Sequence, residues 1–302
     1  MFGRKTSPYR GRPFRDGPID IKRRKMKRRT GASQGAGRRT LGPAAAALSG
    51  LAACALLIFF GGRLLSRCAL LADTLRCAGV FVAFLIPCIA VLAPIRLLTG
   101  IPSFIFRKLM HTAAFTAITF TILRAASWQA ASLTFVLGAA SELALLSVLE
   151  NRPWFAGLLV QKSRGEVKRS LAMFFLMAAA LTAVCWGALG VPGIVAAAIL
   201  MWGTGDAAAA LVGIPFGRHR IRLGGGTKSL EGSAAMLAAS FIAGTCVLLC
   251  VQGMSLPAAL LSAFAGALPG MLAELLSPGE YDTATVPIVI AAVLLACCRL
   301  AP

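Results

Sequence analysis

The chain has 302 residues, of which 58% are hydrophobic and 14% charged, and its formal net charge is +20. A water-soluble domain carries about 25% charged residues, so this composition excludes a soluble enzyme. The nine cysteines are too sparse over this length for a secreted disulfide scaffold. Strong apolarity with a basic excess is typical of an integral membrane protein that has basic loops.

The first element along the chain is a basic tail. Residues 1–43 contain 14 Lys and Arg but only two Asp, with Gly, Pro and Ser and few apolar residues. This pattern predicts a disordered segment over residues 1–42. A basic block also suggests nucleic-acid binding, but an apolar span follows at once. We therefore expect the tail to lie against anionic lipid headgroups on the cytosolic side, and we expect no nucleic-acid partner.

Apolar stretches of span length follow the tail. Crossing the hydrocarbon core takes about 20 residues of helix, and the sequence offers nine candidates. They predict an all-α, polytopic transmembrane bundle. The candidate spans are 43–62, 77–95, 109–123, 130–149, 170–189, 194–213, 233–252, 256–276 and 284–300.

The basic residues predict the orientation of these spans. With the tail inside, the inner segments hold 26 of the 31 Lys and Arg, and the outer segments hold five. By the positive-inside rule this places the N-terminus inside and the C-terminus outside. We expect a multi-pass protein of a bacterial plasma membrane whose active site faces the cytosol.

Several ionisable residues fall within the apolar stretches. Asp206 lies in the sixth span, Glu142 in the fourth and Glu274 near the end of the eighth, while His111 begins the third. Ionisable groups inside a membrane are costly and usually functional. A hydrogen bond between helices would explain Glu142 or His111 equally well.

A glycine triplet lies in the basic loop that follows the sixth span. The backbone amides of Gly224, Gly225 and Gly226 could form an anion-binding nest. Lys228 would add positive charge and Ser229 a hydroxyl donor for phosphate oxygens. The loop therefore suggests a phosphate site, although it is not a Walker A motif, because Thr227 stands where that motif has glycine.

Carboxylates near this loop suggest a metal. Mg²⁺ commonly binds one or two carboxylates together with phosphate oxygens, and Asp206 with Glu231 could supply that pair. A second acidic cluster, Glu274, Glu280 and Asp282, lies in the loop after the eighth span on the same predicted side. These parts favour phosphoryl transfer with Mg²⁺ as cofactor.

Five segments, taken in order, resemble motifs of the CTP-dependent lipid and polyprenol kinases. This family comprises dolichol kinase, phytol kinase and the CTP-using diacylglycerol kinase, and is distantly related to phosphatidate cytidylyltransferases. Residues 107–111 resemble its RKxxH, residues 164–166 its RxxE-type element, residues 205–217 its GDxxAxxxGxxxG, residues 228–233 its KSxEGS, and residues 274–287 its E…DNxxVP close. Thr283 departs from the family, which usually has asparagine there, and residues 1–95 match none of its core. The resemblance therefore implies two peripheral spans over residues 43–95 and a catalytic transmembrane domain over residues 96–302.

The resemblance implies a CTP-dependent lipid-alcohol kinase with a polyprenol, phytol, dolichol-type or diacylglycerol acceptor. It implies catalytic roles for Asp206, Lys228, Glu231 and His111, with Asp206, Glu231 and Asp282 at the metal. The phosphate-binding residues that it implies are Arg107, Lys108, Gly205, Arg218, Gly224, Gly225, Gly226, Lys228 and Ser229, and the further candidates are Glu142, Glu166 and Glu274.

Two other functions stay open on the sequence. A phosphatidate cytidylyltransferase would use the same nucleotide and metal but would keep the CMP moiety on its lipid product. A multi-span anion transporter would use Asp206 and Glu142 to bind a coupling ion, although the two halves of the chain show no internal repeat of the kind common in transporters.

Overall fold

The computed structural model describes residues 69–149, 152, 165–223, 226–277 and 281–300. The basic tail and the predicted span at 43–62 lie outside these residues. Within them the chain forms eight helices and one two-stranded sheet. The helices are α1 (Ala69–Thr99), α2 (Ser103–Arg124), α3 (Trp128–Leu149), α4 (Glu166–Leu181), α5 (Pro192–Phe216), α6 (Leu230–Cys250), α7 (Leu256–Leu276) and α8 (Asp282–Leu300), and a π-helical stretch, Thr182–Ala188, extends α4.

Each of the eight spans predicted from residue 77 onwards corresponds to one of these helices. Seven of the helices are long and apolar enough to cross a membrane, so the chain is a multi-pass membrane protein built as a helical bundle. The exception is α2, which carries Arg107 and Lys108 in its first turns and Arg124 at its end. The total of nine spans stays a prediction, because the first lies outside the described residues.

Two boundaries differ from the sequence prediction. Helix α1 begins eight residues before the predicted start because it incorporates Asp73 and Arg76, which form an ion pair of 3.1 Å on its surface. This helix packs on α2 and α3, so the predicted boundary after residue 95 falls inside a helix of the bundle. Residues 69–95 thus belong to a helix that packs in the bundle, while the division into peripheral spans and a catalytic domain stays a prediction.

The expectation of an entirely α-helical domain missed a β-hairpin. Strand β1 (Arg220–Leu223) pairs antiparallel with β2 (Gly226–Ser229), in a register that places Leu223 opposite Gly226. The connection between the strands is thus two residues long, as in the tightest hairpins. Gly224 and Gly225 themselves lie outside the described residues.

Helix α5 occupies the centre of the bundle. Its apolar residues are spread around the whole circumference, as expected of a helix that is covered on most sides, and Asp206 is its one charged residue. It packs on α2, α6 and α8. An aromatic layer joins it to two neighbours: the ring of Phe115 on α2 lies 4.6 Å from Trp202 on α5 and 4.8 Å from Phe174 on α4, between centroids. These three rings, called the aromatic floor below, lie deeper in the bundle than the polar residues of the site.

Glycines bring α5 and α6 into close contact. A Cβ atom on Gly213 would lie 2.8 Å from Ser229 Oγ and 3.2 Å from Gly232 Cα, and one on Gly232 would lie 2.9 Å from the carbonyl oxygen of Ala209. Small residues at such crossings allow two backbones to approach each other. The approach holds the hairpin and the start of α6 against the last turns of α5.

Candidate functional site

Two ion pairs lie at the end of the bundle that carries the hairpin. Lys108 Nζ on α2 contacts both carboxylate oxygens of Asp206 on α5, at 2.7 Å and 2.6 Å, across 98 residues of sequence. Only 12% of the lysine side chain and 19% of the aspartate side chain are exposed. A buried charge needs such a partner, because removing it from water costs several kcal/mol.

The second ion pair ties the hairpin to α7. Lys228 Nζ on β2 lies 2.8 Å from Glu274 Oε1, and it also donates a hydrogen bond to the backbone carbonyl of Glu274. Both side chains are largely buried. The sequence placed Glu274 only among the further candidates, whereas the structure makes it the direct partner of the predicted phosphate-binding lysine.

A polar cleft of about 370 Å³ contains both pairs. Its charged side chains are four cations and two carboxylates, so the cleft is positive overall and suited to a phosphate anion. Backbone and side chains of α2, α5, the hairpin, α6 and α7 form its walls. Its charged residues are Arg107, Lys108, Arg220, Lys228, Asp206 and Glu274.

Glu231 lies apart from this cleft. Its carboxylate accepts hydrogen bonds from the backbone N–H of His219, at 3.1 Å and 3.3 Å, and one oxygen lies 2.7 Å from His219 Nδ1. Glu231 is not among the residues that line the cleft. The structure therefore does not pair Asp206 with Glu231, because Asp206 is held by Lys108 and Glu231 fastens the start of α6 to the start of the hairpin.

Ser229 and Gly226 have structural partners. Ser229 is the N-cap of α6, and its buried hydroxyl accepts a hydrogen bond from the Gly232 N–H at 3.1 Å, which satisfies one of the open donors at the helix start. Ser229 also lines the cleft. Gly226 pairs with Leu223 within the hairpin.

Gly205 and Arg218 do not reach the cleft. Gly205 is buried where α5 meets α6, and a side chain there would overlap Ser240. Arg218 is exposed before the hairpin, and its neighbour Arg220 lines the cleft instead. Sequence reasoning missed Arg220 because only the path of the hairpin distinguishes it from the other arginines of the loop.

Asp282 lies near both ion pairs. It is the first residue of α8, and its carboxylate interacts electrostatically with Asp206, Lys228, Lys108 and Glu274. The hydroxyl of Thr283, at the position where the related kinases usually have asparagine, is 3.4 Å from Asp282 Oδ1. Asp282 therefore lies close to Asp206, and its role as a metal ligand stays a prediction.

A second, larger cavity of about 870 Å³ lies between α1 and helices α2, α3 and α4. Its walls are mainly apolar, and His111 and Glu142 are among the few polar residues on them. His111 packs edge-on against Phe115, at 6.1 Å between centroids, and interacts electrostatically with Lys108 and Asp206. Arg107 lines this cavity as well as the polar cleft, so the two spaces adjoin.

Glu166 begins α4, but its side chain is not among those described, and Arg164 lies outside the described residues. The contribution of the RxxE-type element therefore stays a prediction.

Asp206 in the cleft and the nearby Asp282 fit a Mg²⁺ ion that is bound mainly through phosphate oxygens. Among the residues that the structure describes, no group of three or more His, Cys, Asp or Glu side chains is arranged to hold a metal by itself. Mg²⁺ in phosphoryl-transfer sites typically uses only one or two protein carboxylates, which Asp206 and Asp282 would supply. Glu231 does not fit this role, since it does not line the cleft.

Comparisons with models of known protein families, with curated proteins and with solved structures gave no match for this chain. The resemblance to the CTP-dependent lipid kinases rests on the five sequence motifs.

Proposed function

We propose that this protein is a CTP-dependent lipid-alcohol kinase, which transfers the γ-phosphoryl group of CTP to the hydroxyl of a membrane lipid. One observation carries the proposal: a positive polar cleft adjoins a large apolar cavity, and Arg107 lines both. A kinase acting on a lipid needs a phosphate site and a chain site that meet at the reacting atoms. The choice of CTP rests on the motif resemblance.

The two ion pairs suggest how the cleft accepts a nucleotide. Lys108 and Lys228 are each paired with a carboxylate, and the oxygens of a bound phosphate would compete for these lysines. The exchange would leave Asp206 and Glu274 with unpaired negative charge. Asp206 would then hold Mg²⁺, which would supply positive charge to neutralise the phosphates of the nucleotide.

The transfer step follows from this arrangement. The lipid hydroxyl oxygen forms a bond to the γ-phosphorus while the bond from phosphorus to the bridging oxygen breaks, and CDP leaves with that electron pair. The hydroxyl proton passes to a base on the wall of the apolar cavity, where His111 and Glu142 are the candidates. Arg107, Lys108, Arg220 and Lys228 would stabilise the charge that spreads over the phosphoryl oxygens.

Charge distribution supports a cytosolic cleft. Of the 13 Lys and Arg in the described residues, ten lie at the cleft end of the bundle and three, Arg76, Arg124 and Arg299, lie towards the other end. The positive-inside rule therefore favours a cleft on the cytosolic side, where CTP is available, and we propose the plasma membrane of a bacterium as its location. The ten are Arg96, Arg107, Lys108, Arg152, Lys168, Arg169, Arg218, Arg220, Arg222 and Lys228.

The test uses the full chain in lipid vesicles with isoprenoid alcohols or diacylglycerol as acceptors. With CTP labelled at the γ-phosphate, a kinase places the label on the lipid and releases CDP. A cytidylyltransferase would instead place label from the α-phosphate on phosphatidate and release pyrophosphate. If none of the acceptors became labelled with either CTP or ATP, the proposal would be refuted.

The Asp206→Asn variant tests the assigned chemistry. We expect turnover to fall by at least about 100-fold, since the variant loses the charge proposed to hold the metal. Arg218→Gln is a suitable control, because Arg218 does not line the cleft. Wild-type turnover in the Asp206 variant would remove Asp206 from the mechanism.

A further inference from the structure

The apolar cavity follows α1 for most of the membrane thickness. Its α1 wall runs from Leu71 to Ala93, which is 22 residue steps and about 33 Å of helix at 1.5 Å per residue. Within this wall Leu75, Val82 and Ile89 recur every seven residues and remain 53%, 46% and 41% exposed. A cavity of this length and composition fits an extended hydrocarbon chain that lies parallel to the helices.

Glu142 is an acidic residue on the mainly apolar walls of this cavity. Both of its carboxylate oxygens are buried and have no hydrogen-bond partner in the protein. Buried polar groups are nearly always hydrogen-bonded, and one left without a partner is destabilising. The cavity therefore presents a hydrogen-bond acceptor that a ligand with a donor would satisfy.

Neighbouring contacts place Glu142 at the depth of His111. Glu142 is one helical turn from Gly138, against which Phe175 packs, and the adjacent Phe174 contacts Phe115. His111 is one turn from Phe115 in the direction of the cleft. Both polar residues thus lie one layer above the aromatic floor.

Arg107 links that layer to the polar cleft. It is one further turn along α2 from His111, a rise of about 5.4 Å, and it lines both spaces. A hydroxyl bound in the layer of Glu142 would therefore lie directly below a phosphate-binding side chain. A hydrocarbon bound only by the apolar wall would have no group that fixes its position along the cavity.

We infer that the cavity between α1 and α2–α4 binds a long-chain lipid alcohol whose hydroxyl donates its hydrogen bond to Glu142. This inference rests on the proposed function, which identifies the ligand as the phosphoryl acceptor. Glu142 is then a positioning residue that sets the hydroxyl below Arg107, and it selects for ligands that carry a hydrogen-bond donor at the head of the chain.

Photo-crosslinking tests this without any catalysis. The probe is a long-chain isoprenoid alcohol with a diazirine at the end of its chain, added to the purified full chain in vesicles without nucleotide. Competitors are the unmodified alcohol, its methyl ether and diacylglycerol. We expect crosslinks on α1 and α3, and we expect the ether to compete about tenfold or more weakly than the alcohol, because it cannot donate to a buried carboxylate.

Variants assign this preference to one residue. Glu142→Leu should abolish the difference between alcohol and ether while crosslinking persists, whereas Glu142→Gln should retain it, since the amide oxygen still accepts. Asp73→Leu is the matched control, because it removes an α1 carboxylate that does not line the cavity. Glu142→Ala replaces the leucine variant if that protein does not purify.

The outcomes separate this inference from the proposed function. Equal competition by alcohol and ether in the wild-type protein, or a preference that survives in Glu142→Leu (or in Glu142→Ala where that variant replaces it), would overturn the site. If diacylglycerol competes as well as the isoprenoid alcohol, the role of Glu142 as hydrogen-bond acceptor still holds. The site then also binds lipid alcohols with two hydrocarbon chains. Selective binding of the alcohol with no phosphoryl transfer would refute the kinase and leave the lipid site standing.

Discussion

The ion pair between Lys108 and Asp206 makes a quantitative prediction about stability. Both side chains are more than four-fifths buried, and the lysine nitrogen lies 2.6–2.7 Å from the two carboxylate oxygens. Replacing Lys108 with Met keeps the length of the side chain but leaves a buried, uncompensated carboxylate. Breaking a buried pair in this way costs about 3–5 kcal/mol.

This cost sets the expected change in thermal stability. For a domain of this size, 1 kcal/mol corresponds to about 2–4 °C in Tm. Lys108→Met should therefore lower Tm by about 6–20 °C. The double variant, Lys108→Met with Asp206→Asn, contains no isolated buried charge and should recover about 2 kcal/mol or more relative to Lys108→Met alone.

Two probes already in the chain can follow unfolding in detergent. Trp202 is buried one turn from Asp206, so its fluorescence reports on the region of the pair. Cys77 and Cys185 are buried free thiols that a thiol-reactive dye would label as the bundle opens. Agreement between the two probes would show that the whole bundle is being measured.

The pair between Arg76 and Asp73 provides the control. It is also an ion pair at 3.1 Å, but the arginine side chain is 71% exposed. Exposed pairs contribute about 0–1 kcal/mol, so Arg76→Met should barely change Tm. If Lys108→Met were as stable as Arg76→Met, or if the effects of Lys108→Met and Asp206→Asn simply added, the reasoning from burial would be wrong.

Three further predictions concern the hairpin and the crossing of α5 and α6. Gly213→Ala should destabilise the protein by about 1–3 kcal/mol, because its Cβ would overlap Ser229 Oγ. Gly79→Ala is the control: Gly79 has open space around it, so the change should be neutral or stabilising by up to about 1 kcal/mol. Equal effects of the two variants on thermal unfolding would contradict the close approach of α5 and α6. Ser229→Ala should cost about 1 kcal/mol through loss of the α6 N-cap, and an unchanged Tm would show that the cap contributes nothing. Arg220→Gln should raise KM for the nucleotide by about tenfold, as loss of one charge-assisted hydrogen bond would, while Arg218→Gln should not; the reverse result in initial-rate measurements would show that the cleft is misassigned.

Much of the bundle could be predicted from local sequence. Hydropathy anticipated every described helix, because transfer into hydrocarbon depends on the summed apolarity of about 20 consecutive residues. Asp206 and Lys228 could be selected for the site in a similar way, since charges among apolar or glycine-rich surroundings are unusual, whereas Lys108 follows only from the motif resemblance. Short polar elements were harder: the hairpin was read as an irregular loop because its two strands are four residues each.

The partners of the charged residues could not be predicted in the same way. Glu231 follows Lys228 closely in sequence, which favoured it for the metal site, yet it binds His219. Glu274 lies 46 residues from Lys228 and is its partner. Sequence spacing restricts which residues share a helix face, but it carries no information about which helices meet.

The amino-acid sequence by itself determined that this is a membrane bundle with basic loops and a few acidic residues within its apolar stretches, since burial in hydrocarbon penalises each residue locally. Only the tertiary structure decided that Asp206 pairs with Lys108, that Arg220 enters the cleft, and that α1 encloses an apolar cavity with Glu142 on its wall. These features depend on the packing of helices far apart in the chain, where ångström-scale distances determine whether a charge has a partner.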